Sequence, residues 1–224
     1  MLTLAWDVDD VLNNLMQVWL EEAWLPAHPQ CKVTYRDLTS NPPHAEIGTS
    51  LDEYLASLDR FRSSRYLADL TPSEEATAWF EQNGGRYRHI ALTAVPLEFA
   101  PISAAWTLRH FGRWIRGFHF VPSYRAGESI PSYDATKGDF LTRAGDVAAL
   151  IDDHPGNVEA AAALGIRAVL MPRPWNGSSD TVTNVGSRVL PNPGSNGRST
   201  HSCTNSLPAA GSALKQGSCR RGAP

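Results

Sequence analysis

The sequence predicts an α/β fold in which helices flank a parallel sheet. Four short apolar runs bounded by polar or turn residues have the length of buried strands: Leu2–Trp6, His89–Leu92, Val147–Ile151 and Arg167–Met171. Segments with the three- and four-residue apolar spacing of helices separate these runs. The last strand–helix–strand unit has short connections, which favours a right-handed parallel crossover. Phe118–Val121 is predicted as a fifth strand.

A helical pattern follows the first strand. Its apolar positions are Leu12, Leu15, Met16, Trp19 and Ala23. The next strand begins only near His89, whereas a strand–helix–strand unit needs about 30 residues. Further helical patterns cover Leu51–Leu58 and Ser73–Gln82. We therefore predict a helical cap at residues 15–70, inserted into a core formed by residues 1–14 and 71–175. The alternative is a set of helices that pack on the sheet without acting as a lid.

The last unit has the clearest helix boundaries. Pro155 follows the strand Val147–Ile151 at a position that the first turn of a helix tolerates. Ala160–Leu164 continues the helix, and Gly165 is placed to end it.

Residues 176–224 differ in composition from the rest of the chain. Of these 49 residues, 29 are Gly, Pro, Ser, Thr or Asn, and none is aromatic. Such a segment buries too little apolar surface to offset its ordering entropy, so we predict a disordered tail. It carries five basic residues and one acidic residue, so residues 1–175 have a net charge of −7 against −3 for the whole chain.

Composition excludes several classes of protein. The 224 residues suit one domain, or a core with a small insertion. The net charge of −3 gives no case for a nucleic acid polymer or a membrane as partner. No stretch approaches the roughly 20 apolar residues of a membrane span. Three cysteines argue against a disulfide framework, and early acidic residues argue against a signal peptide, so we expect a cytoplasmic location.

Carboxylates follow two of the predicted strands. Asp7, Asp9 and Asp10 come after the first strand, and Asp152 and Asp153 come after Val147–Ile151. Carboxyl ends of parallel strands form ligand sites, and clustered carboxylates need a neutralising cation such as Mg²⁺. The alternatives are a loop of solvated acids at the first motif and a helix N-cap at Asp153.

Two weaker signals lie between these motifs. Thr93 and Ala94 end the second strand, and Lys137 begins a helical segment. Taken singly, a strand-terminal threonine and a surface lysine are commonplace. The order Asp-x-Asp, Thr, Lys and Asp-Asp, however, resembles the four motifs of the haloacid dehalogenase (HAD) superfamily. The resemblance covers residues 2–175 and implies a Rossmann-like, HAD-like sheet with a cap. Tyr66-Leu67, Leu70-Thr71-Pro72 and the Pro172–Asn176 ending look similar to bacterial relatives of the 5′(3′)-deoxyribonucleotidases.

The resemblance implies a role for each motif residue. Asp7 would be the nucleophile and Asp9 the general acid and base. Thr93, Ala94 and Lys137 would bind the phosphoryl group. Mg²⁺ would be held by the side chain of Asp7, the backbone carbonyl of Asp9 and the side chain of Asp152 or Asp153. The residues expected to supply metal ligands are therefore Asp7, Asp9, Asp152 and Asp153. Asp152 is slightly favoured because it comes directly after the strand.

The family commonly has glycine where this chain has Asp10, which adds charge near the mouth of the site and bears on substrate choice. The expected activity is Mg²⁺-dependent hydrolysis of a small phosphorylated metabolite, with (deoxy)nucleoside monophosphates among the candidates. Trp19, Trp24 and Tyr35 are candidate platforms for a nucleobase, although core packing is the commoner role of such residues. His154 is expected to be a loop residue within reach of the substrate.

Two alternative functions share some of these motifs. One is a catalytically silent HAD-like module that binds metal and a phosphorylated ligand. It is disfavoured because all the polar motif residues are present. The other is a phosphoacceptor receiver domain. We reject it because receivers place the acidic pair on the first strand, whereas here the pair comes after the lysine.

Overall fold

A six-stranded sheet forms the centre of the chain. The computed structural model describes residues 1–64, 69–125, 131 and 133–177, together with the backbone of residues 183–185. The strands are β1 (Thr3–Trp6), β2 (Arg88–Val95), β3 (Ile115–Pro122), β4 (Val147–Asp152), β5 (Arg167–Leu170) and β6 (Thr183–Val185). Their order across the sheet is β3-β2-β1-β4-β5-β6. The first five are parallel, and β6 pairs antiparallel with β5.

The five predicted strands are confirmed as β1 to β5, and the α/β fold class with them. The prediction of β3 was too short, because its apolar centre at Phe118–Val121 is extended on both sides by residues that pair with β2. The sixth strand, β6, has no apolar run that could have indicated it. It lies inside the segment predicted as a tail, most of which is outside the described residues, as are Tyr66 and Leu67. The disordered tail therefore stays a prediction.

Helices cover both the predicted cap and the crossovers. They are α1 (Leu15–Trp19), α2 (Leu25–Ala27), α3 (Leu51–Ser63), α4 (Glu74–Asn83), α5 (Ala100–Phe111), α6 (Lys137–Ala144) and α7 (Pro155–Ala163). A π-helical turn, Leu20–Trp24, joins α1 to α2. The first three helices lie between β1 and β2, within residues 15–70, which agrees with a helical insertion after the first strand.

The ends of α3 follow from its sequence. Ser50 is the N-cap and accepts a hydrogen bond from the backbone N–H of Glu53 at 3.2 Å. Acidic residues occupy the first turn, and Arg60 and Arg62 occupy the last, which suits the helix dipole. Tyr54 and Phe61 face the core. This helix therefore places Arg62 at its buried C-terminal end.

The last crossover has the boundaries predicted from the sequence. Pro155 is the first residue of α7, and Gly165, with φ of 75°, lies just beyond its end. The N-cap is His154 rather than Asp153, and its Nδ1 accepts a hydrogen bond from the Gly156 N–H at 3.2 Å. Asp153 is thereby left to face the site.

The three aromatic residues that were candidate platforms for a nucleobase, Trp19, Trp24 and Tyr35, differ in their surroundings. Trp19 and Trp24 are buried in the core, with ring centroids 5.6 Å apart. Tyr35 packs edge-on against Trp175. These ring contacts are packing contacts, and none of the three residues lines the cavity that contains Asp7. Among the described helices, none combines the length and the apolar character that a bilayer crossing requires.

Candidate active site

Three neighbouring strands bring the predicted site residues to one edge of the sheet. β1 lies between β2 and β4, so their carboxyl ends meet. Asp7 follows β1 directly, and its backbone N–H donates to the Ile151 carbonyl oxygen at 2.9 Å, which continues the pairing with β4. Thr93 is a buried residue of β2, and Asp152 ends β4. The strand register therefore fixes the backbone positions of these groups.

Lys137 enters the site from the first turn of α6. Thr136 and Asp139 form a capping box: the Thr136 hydroxyl accepts from the Asp139 N–H at 3.1 Å, and the Asp139 carboxylate accepts from the Thr136 N–H at 2.9 Å. The Lys137 side chain is only 2% exposed. Its Nζ lies 2.8 Å from Oδ2 of Asp7 and 2.7 Å from Oδ2 of Asp152. Lys137 is therefore a buried site residue and not a solvated surface lysine.

Three carboxylates form a buried cluster beneath the cavity. Oxygens of Asp7, Asp152 and Asp153 lie within 4.8 Å of one another. Lys137 supplies one positive charge against the three negative charges of the ionised carboxylates. The two remaining negative charges equal the charge that one divalent cation would balance. Oxygen ligands of this kind suit a hard cation. The cluster is therefore compatible with a divalent metal.

The pKa values in the cluster reflect this charge imbalance. Burial raises the pKa of Asp7 well above its usual value, although Lys137 opposes the shift. Burial, together with the neighbouring Asp152, raises the pKa of Asp153 to about 8. Burial disfavours the charged form of Lys137, but Asp152 and Asp7 outweigh it and raise the pKa of that ammonium group. A bound cation would return the carboxylates to their ionised forms.

Asp152 and Asp153 differ in how their oxygens are used. Oδ1 of Asp152 accepts hydrogen bonds from the His154 N–H at 2.9 Å and from the Asn157 amide at 3.0 Å, while Oδ2 is bonded to Lys137. Oδ2 of Asp153 accepts from the Trp175 indole N–H at 3.0 Å. Asp153 lines the cavity, whereas Asp152 is fully buried behind it. The geometry therefore favours Asp153 as the ligand that faces the cavity.

The Asp9 side chain is bonded to α3 and to the loop after β1. Its Oδ2 lies 3.0 Å from a terminal nitrogen of Arg62, and its Oδ1 accepts from the Asn13 amide at 3.3 Å. Asn13 is completely buried, and its own Oδ1 accepts from the N–H groups of Asp10 and Leu15. Asp9 is therefore held between the loop after β1 and the helical insertion.

A cavity of about 320 Å³ joins these groups. Six of the predicted site residues line it, namely Asp7, Asp9, Thr93, Ala94, Lys137 and Asp153. His154 also lines it, within reach of a ligand as expected. The insertion supplies mostly apolar lining: Leu15, Met16, Tyr54, Leu55 and Leu58. The cavity thus has a polar floor and a largely apolar upper wall.

Asp10 takes a conformation that explains why glycine would be common at its position. Its φ is 59°, in the left-handed region, which aspartate tolerates better than most residues. Its Oδ1 accepts from the Met16 N–H at 3.0 Å, and its carbonyl oxygen accepts from Arg173 Nε at 2.6 Å. The side chain is buried, and burial raises its pKa to about 7. Asp10 lines the cavity, and burial disfavours the negative charge that it was expected to add there.

Sequence reasoning missed the charged residues that line the cavity beside Asp9. Arg62 comes from α3, and Arg125 follows β3. Asp59 connects them: its carboxylate accepts two hydrogen bonds from Arg125, at 2.6 and 2.9 Å, and lies 3.5 Å from Arg62. Arg62 lies beyond the helical pattern that the sequence predicts over Leu51–Leu58, so no local sequence signal indicated its place at the site.

Comparisons with known proteins identify the fold. No protein-family model matches the sequence, and no curated protein matches it significantly. The structure is similar to a haloacid dehalogenase-like family hydrolase from Streptococcus pneumoniae, with a TM-score of 0.54 and 12% identity over 75% of this chain and 83% of that one. A second hydrolase from Streptococcus pneumoniae gives a TM-score of 0.50 and 14% identity over 78% and 94% of the two chains.

Protein Tyrosine Kinase A of Mycobacterium tuberculosis is similar as well. Its TM-score is 0.53, with 17% identity over 84% of this chain and 91% of that one. Identities this low establish a common fold and leave activity open. The chain has the α/β fold of haloacid dehalogenase-like hydrolases, with a helical insertion after the first strand.

Proposed function

We propose that this protein is a Mg²⁺-dependent phosphomonoester hydrolase that acts through an aspartyl-phosphate on Asp7. One observation carries the proposal. Asp7 lies 2.8 Å from a buried ammonium group, shares a cation-compatible carboxylate cluster with Asp153, and lines the same cavity as Thr93. A nucleophile directly after β1, a charge-stabilising lysine at the start of α6 and a hydroxyl donor on β2 form the set that phosphoryl transfer needs.

The reaction divides into two balanced steps. In the first, an oxygen of Asp7 attacks phosphorus, the bond from phosphorus to the leaving oxygen breaks, and Asp9 gives its proton to that oxygen. In the second, Asp9 takes a proton from water, the water oxygen attacks phosphorus, and the acyl phosphate bond breaks. Orthophosphate leaves and the Asp7 carboxylate is restored.

The other residues stabilise charge during both steps. Lys137 holds Asp7 in place and neutralises negative charge on the phosphoryl oxygens, while the Thr93 hydroxyl and the backbone at Ala94 bind those oxygens. Asp7, Asp153 and the Asp9 carbonyl would hold Mg²⁺, and Asp152 would position Lys137. The ion, when bound, balances the excess carboxylate charge and lets an acidic site accept a dianionic substrate.

The proposed substrate class is a small phosphorylated metabolite. A cavity of about 320 Å³ is near the lower end of the usual range for small-molecule sites. Because parts of the sequence resemble deoxyribonucleotidases, (deoxy)nucleoside monophosphates are included among the substrates to be tested.

The test is phosphate release from a panel of phosphomonoesters, nucleotides included, with Mg²⁺ and with EDTA. Wild-type protein and Asp7→Asn are compared, with Asp146→Asn as the matched control because that aspartate is exposed. The proposal predicts Mg²⁺-dependent release that Asp7→Asn loses and Asp146→Asn keeps. A folded, metal-binding protein that releases no phosphate from any ester would instead support a silent binding module.

A further inference from the structure

A cluster of charged residues lies beside the proposed acid, outside the phosphoryl site. Its members are Arg62 and Asp59 on α3 and Arg125 after β3. Arg62 bonds to Asp9 at 3.0 Å and approaches Asp59 at 3.5 Å, and Arg125 donates two hydrogen bonds to Asp59. Two guanidinium groups therefore share Asp59, and Arg62 also bonds to Asp9.

Arg62 has unused hydrogen-bonding capacity although it is buried. The residue is only 7% exposed, and its Nε finds no acceptor among the described residues. A buried, charged donor without a partner is costly. A guanidinium group also presents its N–H donors as a planar fork that can bind two oxygens of a carboxylate or a phosphate at once. Arg62 is thus suited to a further anionic acceptor.

The leaving group has to pass close to Arg62. In the proposed reaction the Asp9 carboxyl group contacts the leaving oxygen, at about 3 Å. Because Arg62 lies 3.0 Å from Oδ2 of Asp9, and the two oxygens of a carboxyl group are about 2 Å apart, its guanidinium lies within roughly 8 Å of that leaving oxygen. This is the reach of a substituent attached one or two carbons from the ester oxygen. Arg125 lines the same cavity, so an anion there meets a second guanidinium.

We propose that Arg62 and Arg125 form a subsite for a second anionic group, a carboxylate or a second phosphate, on the leaving-group part of the substrate. This inference rests on the proposed phosphatase function. It narrows the substrate class to small phosphomonoesters with a charged leaving group. A nucleoside leaving group carries no such anion, and its bulk would meet the apolar side chains of Leu55 and Leu58.

Three esters of similar size test the subsite. They are 3-phosphoglycerate, which has a carboxylate, glycerol 1,3-bisphosphate, which has a second phosphate, and glycerol 3-phosphate, whose leaving group is neutral. Thymidine 5′-monophosphate represents nucleotides. The readout is the ratio of kcat/KM for each charged ester to kcat/KM for glycerol 3-phosphate. The two charged esters together distinguish a carboxylate from a phosphate.

The variants are Arg62→Met, which keeps length and removes charge, and Arg125→Met on the second guanidinium. Arg143→Met is the control, because its guanidinium is exposed and is paired with Asp134. We expect wild-type protein to prefer one charged ester, and each subsite variant to lower that ratio about 10- to 100-fold, mainly through KM. Arg62→Lys should recover part of the ratio, and Arg143→Met should keep it unchanged.

The outcomes separate the two proposals. If no ester is hydrolysed by the folded, Mg²⁺-loaded protein, the phosphatase function fails. If esters are hydrolysed but the neutral ester or thymidine monophosphate is preferred, the anionic subsite alone is overturned. The same conclusion follows if the ratio survives both methionine variants. Should Arg62→Met fail to fold, as a thermal unfolding scan would reveal, Arg125→Met still decides the matter.

Discussion

The ammonium group of Lys137 lies 2.8 Å from Oδ2 of Asp7, in a part of the structure that almost excludes water. The second partner of the lysine, Asp152, lies 2.7 Å away at the end of the neighbouring strand. One side chain therefore binds the carboxyl ends of β1 and β4 together. Burial raises the pKa of Asp7, and the Lys137 ammonium group opposes that shift by favouring the ionised form of the proposed nucleophile.

Removing the Lys137 charge should affect stability and activity together. Lys137→Met leaves two buried carboxylates without their cation, so we expect the free energy of unfolding in EDTA to fall by about 3 kcal/mol. Saturating Mg²⁺ should restore part of this loss, since the ion supplies positive charge to the same cluster. Phosphate release should fall at least about 100-fold. Urea unfolding with and without Mg²⁺ and a phosphate-release assay measure these effects.

Lys32→Met is the matched control for this prediction. Lys32 is exposed, and its Nζ donates to the Pro29 carbonyl oxygen. It should leave stability within about 0.5 kcal/mol of wild type. Equal effects of the two substitutions would contradict the role assigned to Lys137.

The two aspartates after β4 should respond differently to substitution. Asp153→Asn should weaken Mg²⁺ binding at least about 10-fold, because Asp153 lines the cavity. Asp152→Asn should mainly lower stability, because Asp152 is bonded to Lys137, the His154 N–H and Asn157. Isothermal titration with Mg²⁺ and thermal unfolding separate these effects. A stronger loss of Mg²⁺ affinity in Asp152→Asn would reverse the assignment.

The metal-free protein should become less stable as pH rises from about 4 to 8. Burial raises the pKa of Asp153 to about 8 and that of Asp10 to about 7, against 3.8 for the model carboxyl group. Between these values the folded protein holds protons that the unfolded chain has released, so the stabilisation present at low pH is lost as pH passes through the folded pKa values. Thermal unfolding in EDTA at several pH values measures this.

Mg²⁺ should oppose this loss, because it binds the ionised cluster and stabilises the folded state. Its effect on the unfolding temperature should therefore be larger at pH 8 than at pH 6. An equal effect at both pH values would show that Mg²⁺ binding releases no proton from these groups.

The substitution Asp10→Asn isolates the contribution of Asp10 to the pH dependence of stability. Asparagine tolerates the positive φ of 59° and can still accept the hydrogen bond from the Met16 N–H. It removes only the titration, so the unfolding temperature in EDTA should depend less steeply on pH between 6 and 8 than in wild type. An unchanged slope would show that Asp10 does not titrate in this range.

Local sequence signals were sufficient for much of the fold. Apolar runs bounded by turn residues gave β1, β2, β4 and β5, because strands buried on both faces need apolar side chains throughout. Pro155 and Gly165 predicted the two ends of α7 because the backbone of each residue suits its position. Proline fits the first turn of a helix, and glycine adopts the positive φ just beyond the last turn. The strand β6 was missed because its pairing with β5, rather than its own composition, defines it.

The site residues that lie at or near the ends of strands could be predicted from the sequence. Asp7, Thr93 and Asp153 lie at strand ends, and a parallel sheet brings such ends together whatever the loops do. The ion pair between Arg62 and Asp9 joins residues 53 positions apart through the packing of α3, which no local pattern encodes. The burial of Asp10 is likewise a tertiary effect, since three carboxylates within four positions normally indicate a solvated loop.

The most direct test of the central claim is to trap the phosphoryl group on Asp7. Wild-type protein is mixed with Mg²⁺ and a radiolabelled phosphomonoester that it hydrolyses, quenched in acid within one turnover, digested and mapped by mass spectrometry. The account predicts label on the peptide containing Asp7, sensitive to hydroxylamine, and none in EDTA or in Asp7→Asn. Phosphate release without labelled protein at any quench time, or label on another residue, would contradict it.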